Sequence, residues 1–134
     1  MKIIGIIGTR RRNDNNTYTL IEQKFAEIYQ KGDWICSGGC PEGGDRFAEM
    51  IAKKYGIPIV IFHPAWDDLQ APGAVVKYRY GGKPYNAKAG FDRNTPIAQT
   101  SDVIIASVAP NRKGGTEDTL EKYTAAGKDT IYIV

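Results

Sequence analysis

Two glycine-rich turns, each set between a short apolar run and a helix-like stretch, constrain the fold more than any other feature. The first is Ser37-Gly38-Gly39-Cys40-Pro41-Glu42-Gly43-Gly44-Asp45, and the second is Gly114-Gly115-Thr116-Glu117. A strand, a glycine turn and a helix start together surround a hollow with free backbone N–H groups. The helix dipole favours negative charge there. Two such turns on one sheet predict a site for a nucleotide-sized anion.

The rest of the chain repeats the same alternation, which predicts a three-layer, Rossmann-like α/β fold around a parallel sheet. Five strands are expected: Lys2–Gly8, Trp34–Ser37, Pro58–Phe62, Asp102–Ser107 and Thr130–Val134. Numbered along the chain, they should lie in the order 3-2-1-4-5. The fourth is an unbroken apolar run, as in a sheet covered on both faces. A first helix should start near Asn16 or Thr17 and bury Ile21, Phe25, Ile28 and Tyr29, with Gly32 ending it. A second should open at Asp45, bury Phe47, Met50, Ile51 and Tyr55, and stop at Gly56. The last should run from about Thr116 to Ala126, facing Leu120, Tyr123 and Thr124 inward, with Gly127 beyond it. Trp34 and Trp66 read as core.

The stretch from His63 to Phe91 breaks the rhythm and reads as a long flap, since structureless loops of this length are usually functional. From Leu69 to Phe91 it contains Lys77, Arg79, Lys83 and Lys88 and no acid, together with Tyr78, Tyr80, Tyr85 and Phe91. Basic and aromatic side chains suit a phosphate and a base, so Tyr78–Tyr85 is expected to close over a ligand. A short helix should follow from Arg93–Pro96, with proline tolerated in its first turn.

A chain of 134 residues fits one domain over 1–134, with the flap at about 63–92. The apolar start is too short for a signal peptide and is followed at once by Arg10-Arg11-Arg12, so it reads as the first strand. No run approaches the roughly 20 apolar residues that span a bilayer, and no membrane partner is expected. Cys36, Cys40 and the single His63 do not make a zinc set, and no metal site is expected. Both thiols read as reduced and structural, in a cytoplasmic protein. The net charge of +3 does not by itself imply nucleic-acid binding.

Ligands of open parallel sheets bind outside the carboxyl ends of the strands. The residues just past those ends are therefore the candidates. The first strand supplies Thr9 and Arg10. The second supplies Ser37, Gly38 and Gly39 and, across the turn, Gly43, Gly44 and Asp45. The fourth leads to Gly114, Gly115, Thr116 and Glu117, while Arg93 and Asn94 precede it. The glycines admit close approach of backbone, Thr116 offers a hydroxyl, and a guanidinium clamps phosphate well. The spacing is neither a Walker loop nor a Rossmann dinucleotide fingerprint.

In this order, Ile7-Gly8-Thr9-Arg10, Ser37-Gly38-Gly39, Gly43-Gly44-Asp45, Arg93-Asn94 and Gly114-Gly115-Thr116-Glu117 resemble the SLOG superfamily, named for the Smf/DprA and LOG proteins. The chain is most similar to its small single-domain members, of the YspA or YpsA-related kind. The resemblance implies a Rossmann-like sheet binding nucleotides or nucleotide-derived ligands. In the LOG branch, an arginine and a glutamate cleave the N-glycosidic bond of a nucleoside monophosphate. Arg93 matches that arginine. Glu117 matches approximately: it follows Thr116 directly, whereas the LOG glutamate lies further along its helix, and Glu121, one turn on, could present a carboxylate on the same face. Other branches sense nucleotides or, like DprA, bind single-stranded DNA.

The leading expectation is binding of a phosphorylated nucleoside or ADP-ribose-like molecule, as a sensor or sequestering protein. The glycine turns and Thr116 would hold phosphate, Arg10 and Arg93 would balance charge, and Asp45 or Glu117 would hold ribose hydroxyls. The alternative is a phosphoribohydrolase using Arg93 with Glu117 or Glu121. Third comes single-stranded nucleic acid along Arg10–Arg12 and the flap. Magnesium is compatible as a companion of phosphate. So is a homo-oligomer through the flap.

Overall fold

The computed structural model describes residues 1–134. Strands β1 (Ile3–Gly8), β2 (Trp34–Ser37) and β3 (Ile59–Ile61) alternate with helices α1 (Asn15–Ile28) and α2 (Gly44–Tyr55). A hairpin of β4 (Val76–Tyr78) and β5 (Pro84–Asn86) follows, then α3 (Ala89–Thr100), β6 (Val103–Ser107), α4 (Gly115–Ala125) and β7 (Ile131–Ile133). The main sheet is parallel, in the order β3-β2-β1-β6-β7. With the hairpin strands set aside, this is the expected order 3-2-1-4-5.

Side-chain alternation along the strands builds two cores. Ile4, Ile6, Ile35, Val103 and Ile105 face α1 and α2, meeting Ile21, Phe25, Phe47 and Ile51. Ile7, Cys36, Ile104 and Ala106 face α3 and α4, meeting Ile97, Ala98, Leu120 and Tyr123. All five residues of β6 are buried, which explains its unbroken apolar sequence. Burial pushes the Cys36 thiol up to about 11, so it stays protonated. No helix is long and apolar enough to cross a membrane.

Several helix details differ from expectation. α1 is capped by Asp14 rather than by Asn16 or Thr17, and the Thr17 hydroxyl donates to the Asp14 carboxylate at 2.5 Å. On α2, Ala48 and Ala52 join Phe47 and Ile51 in the core, and Met50 is exposed on the far side. Tyr55 lies beyond the sheet: its ring stacks 6.4 Å from Phe25 and its hydroxyl donates to Glu22 at 2.9 Å. On α4, Thr119 is buried and Thr124 is exposed, because Thr124 sits about 100° around the helix from Tyr123. Trp34, at the start of β2, is also exposed.

The flap is structured. Val76 pairs with Asn86 and Tyr78 with Pro84 across the hairpin, whose turn uses Gly81 and Gly82 at positive φ. Buried Asn86 anchors it, with its side-chain oxygen accepting from the Val75 and Lys88 amides at 3.2 and 3.1 Å. α3 therefore starts at Ala89, before Arg93, and Pro96 lies inside the helix rather than in its first turn. Its missing N–H leaves the Asp92 carbonyl without a helical donor.

The first glycine turn is a packing device. A Cβ on Gly44 would drive into the backbone of Ile7 and Gly8, and one on Gly43 into the Thr9 carbonyl. The start of α2 thus lies directly on the end of β1. Gly44→Ala is expected to cost about 1–3 kcal/mol in urea unfolding, the usual cost of overpacking. Gly115→Ala, at a position with no close neighbour, should stay within about 0.5 kcal/mol.

At the opposite rim, buried Asp33 accepts from the Lys2 amide at 2.9 Å, the Lys2 ammonium at 2.5 Å and the Gln30 amide at 2.9 Å. Burial pushes its carboxyl up, but these donors outweigh that and hold it below the usual aspartate range. A depressed folded value gives stability that is present above the unfolded value and lost as pH falls through the folded one. Asp33→Asn should therefore cost about 1–3 kcal/mol at neutral pH. In urea titrations, the gap to wild type should narrow below about pH 4.

Candidate functional site

A cavity of about 430 Å³ opens at the carboxyl end of the sheet. β1 leads into it through Gly8, Thr9 and Arg10, and α4 presents Gly114, Gly115 and Thr116 from another side. α3 contributes Arg93 and Asn94, while Asp45 and Cys40 come from the first glycine turn and the start of α2. These residues, far apart in sequence, meet because β1 and β6 are adjacent at the point where the strand order reverses.

Arg93 is the most constrained of them. It sits in the second turn of α3, and its guanidinium donates to the Gly38 carbonyl and to the Phe62 carbonyl at 3.2 Å, while Asp45 stands 3.8 Å away. Burial pushes this guanidinium below its ordinary value and the Asp45 charge opposes that, so it stays cationic. Asp45 is held in turn: one carboxylate oxygen lies 2.8 Å from the Ser37 hydroxyl, and the other accepts from the Cys40 amide at 3.1 Å.

The two glycine turns have different environments. A Cβ on Gly38 would collide with the Arg93 guanidinium, and one on Gly39 with the His63 ring at 2.7 Å. Ser37 is fully buried, its hydroxyl 2.6 Å from the Ile6 carbonyl. Ser37, Gly38, Gly39, Gly43 and Gly44 therefore build the floor and do not line the cavity. Gly114, in contrast, has φ +114 and open space where a Cβ would be, and Gly115 is nearly as free. The second turn, with the first amides of α4, faces the cavity. Asn94 fixes its position, donating to the Gly115 carbonyl at 3.1 Å and to Asp118 at 3.0 Å.

The α4 carboxylates lie elsewhere. Glu117 accepts two hydrogen bonds from Arg112, both at 2.9 Å, and with Glu121 lines a separate groove beside β7. Helical geometry turns both away from the Thr116 side, so neither reaches the cavity that holds Arg93. Asp45 is the one carboxylate lining it. The arginine run also divides: Arg12 donates to the carbonyls of Val108 and Val134, whereas Arg10 and Arg11 both line the cavity, Arg11 with one exposed hydrogen bond to Asn111 at 3.2 Å. Lys113, which the sequence reading passed over, joins Arg10 at the cavity, and neither takes part in an ion pair. The hairpin tyrosines do not line the cavity; Trp66 and Phe91 do. No three His, Cys, Asp or Glu side chains are grouped to hold a metal ion.

No protein-family model and no curated protein matches the chain. Among solved structures, it is similar to a molybdenum cofactor binding protein from the phototrophic bacterium Rippkaea orientalis. That likeness covers 99% of this chain and 77% of the other, with TM-score 0.64 and 19% identity. It is also similar to TM1055, a structural-genomics target, over 96% of this chain and 71% of the other, with TM-score 0.55 and 17% identity. At these identities the likeness is one of fold, and both neighbours support the Rossmann-like assignment.

Arg93→Met leaves the Gly38 and Phe62 carbonyls without their donor and Asp45 without its counter-charge. It should cost about 1–3 kcal/mol in urea unfolding even with no ligand present. A variant as stable as wild type would remove Arg93 from this structural role.

Proposed function

We propose that the protein is a SLOG-like domain that binds a phosphorylated nucleoside or a related nucleotide-derived anion in this cavity. One observation carries the reading: the open Gly114–Thr116 turn shares the cavity with Arg10 and Lys113, two cations that no acid neutralises. Free amides at a helix start and unpaired cations are what a phosphate needs from its host. Arg93 adds charge from the floor, and Asp45 is placed to accept from ribose hydroxyls. Thr9 and Asn94 complete the polar lining. A volume of about 430 Å³ suits a mononucleotide-sized molecule. Any magnesium would arrive with the ligand's phosphates. A small-molecule ligand also accords with the description of one fold neighbour as a molybdenum cofactor binding protein.

Binding is favoured over N-glycosidic hydrolysis because Glu117 and Glu121, the carboxylates that mechanism requires, lie outside the cavity. A single-stranded nucleic acid is less favoured because Arg12 is spent on backbone carbonyls and the hairpin tyrosines stand outside the cavity.

The test is a thermal-shift panel of AMP, ADP-ribose, cyclic ADP-ribose, NAD, a cyclic dinucleotide and a short single-stranded oligonucleotide. A ligand at about 100 times its Kd adds roughly 2.7 kcal/mol of stability, a shift of several degrees at this size. Arg10→Gln and Lys113→Gln should each weaken the responding ligand about five- to tenfold by calorimetry, less so in high salt. A flat panel on folded protein would overturn the reading.

A further inference from the structure

We propose that Trp66 forms a stacking wall for a flat heteroaromatic ring and so decides which phosphorylated compounds the cavity retains. The inference rests on the cavity being an anion site and names the residue that would read the ligand's other end.

Trp66 is not a core residue. It belongs to neither buried cluster and lines the cavity half-exposed. Its placement is nonetheless firm. Its carbonyl accepts from the amide of buried Asn86 at 2.7 Å. Tyr85 meets the indole edge-on, with ring centroids 6.2 Å apart at 69°, and Arg79 lies 4.6 Å over the Tyr85 ring. The hairpin thus buttresses the indole without entering the cavity.

Gly90 makes room for the ring. A Cβ there would stand 3.0 Å from the indole Cη2, so any larger residue would press on the ring and shift it. Gly90 stands in the first turn of α3, and its lack of a side chain lets the indole pack there and border the cavity. Phe91, next along α3, adds a second aromatic side chain to the lining. It is 46% exposed and stacks on no other ring. Exposed aromatic area in a cavity that also offers cations and free amides matches a ligand that is anionic at one end and flat and apolar at the other. A sugar phosphate would leave this wall uncovered.

The chain has two tryptophans, and Trp34 stands at the start of β2, at the opposite end of the sheet. A Trp34→Phe protein therefore reports on Trp66 alone. AMP, GMP, UMP and ribose 5-phosphate would be titrated into it by fluorescence and into wild type, Trp66→Ala and Trp66→Phe by calorimetry. The nucleotides should change Trp66 emission and bind at least about tenfold more tightly than ribose 5-phosphate, within the usual range for base–aromatic stacking. Trp66→Ala should remove most of that advantage while ribose 5-phosphate stays within about twofold, and Trp66→Phe should keep much of it. Equal affinity for nucleotides and ribose 5-phosphate, or unchanged selectivity in Trp66→Ala, overturns the stacking wall and leaves the anion site standing. Failure of all four compounds to bind folded protein overturns this inference, and the anion site falls with it where the thermal-shift panel is flat as well. The Trp34→Phe titration leaves residue 66 native, so it decides the question even where Trp66→Ala does not fold.

Discussion

The backbone of α2 rests directly on the end of β1, and most of the site depends on that contact. Gly8, Gly43 and Gly44 are the residues that permit it, since a side chain at Gly43 or Gly44 would meet main chain rather than a movable group. The contact brings Asp45 within hydrogen-bonding reach of Ser37 and sets it 3.8 Å from Arg93. Arg93 then draws α3 onto the Gly38 and Phe62 carbonyls, closing the first glycine turn. With α3 fixed, Asn94 holds the start of α4, and the second turn is the one that opens onto the cavity. A chain of local constraints thus leads from three hydrogen-sized side chains to the shape of the cavity.

This order of dependence explains what the sequence made legible. The sheet order followed from the strand–turn–helix rhythm and from the apolar run of β6, which only a doubly covered strand explains. The rim residues followed from the general rule about parallel sheets. Their division into floor and lining did not. Gly38 and Gly114 look alike in sequence, and only the arrival of Arg93 over one of them separates their environments. The hairpin did leave a signal, Gly81-Gly82 between Val76-Lys77-Tyr78 and Pro84-Tyr85-Asn86, that the long basic segment obscured. α3 was misplaced because Pro96 reads as a helix start, whereas packing on α4 and the sheet sustains the helix through it. Met50 and Thr124 were assigned inward from periodicity alone, which fixes a helix stripe's spacing but not its rotation about the axis.

Charge is arranged to the same end. Asp118 is paired with Lys122 and Asn94, Glu117 with Arg112, and Asp33 with Lys2, so acids near the helix starts and the lower rim are already satisfied. Arg10 and Lys113 are left without such partners at the one place where free amides also converge. Water screens exposed cations well, so these two add little to folding. The proposed anion would feel them more strongly, because it would displace the water that screens them.

The same logic separates holding a nucleotide from cleaving it. Cleaving an N-glycosidic bond requires a carboxylate facing the sugar carbon as positive charge develops there. The only acid lining the cavity, Asp45, is buried, accepts from a hydroxyl and a backbone amide, and faces a guanidinium. A carboxylate so fully engaged is held in place as a fixed acceptor for a hydroxyl. Asp45, anchoring Arg93, is thus the cavity's one carboxylate, and Glu117 and Glu121, in their separate groove, leave it without the second acid that the cleavage reading would use.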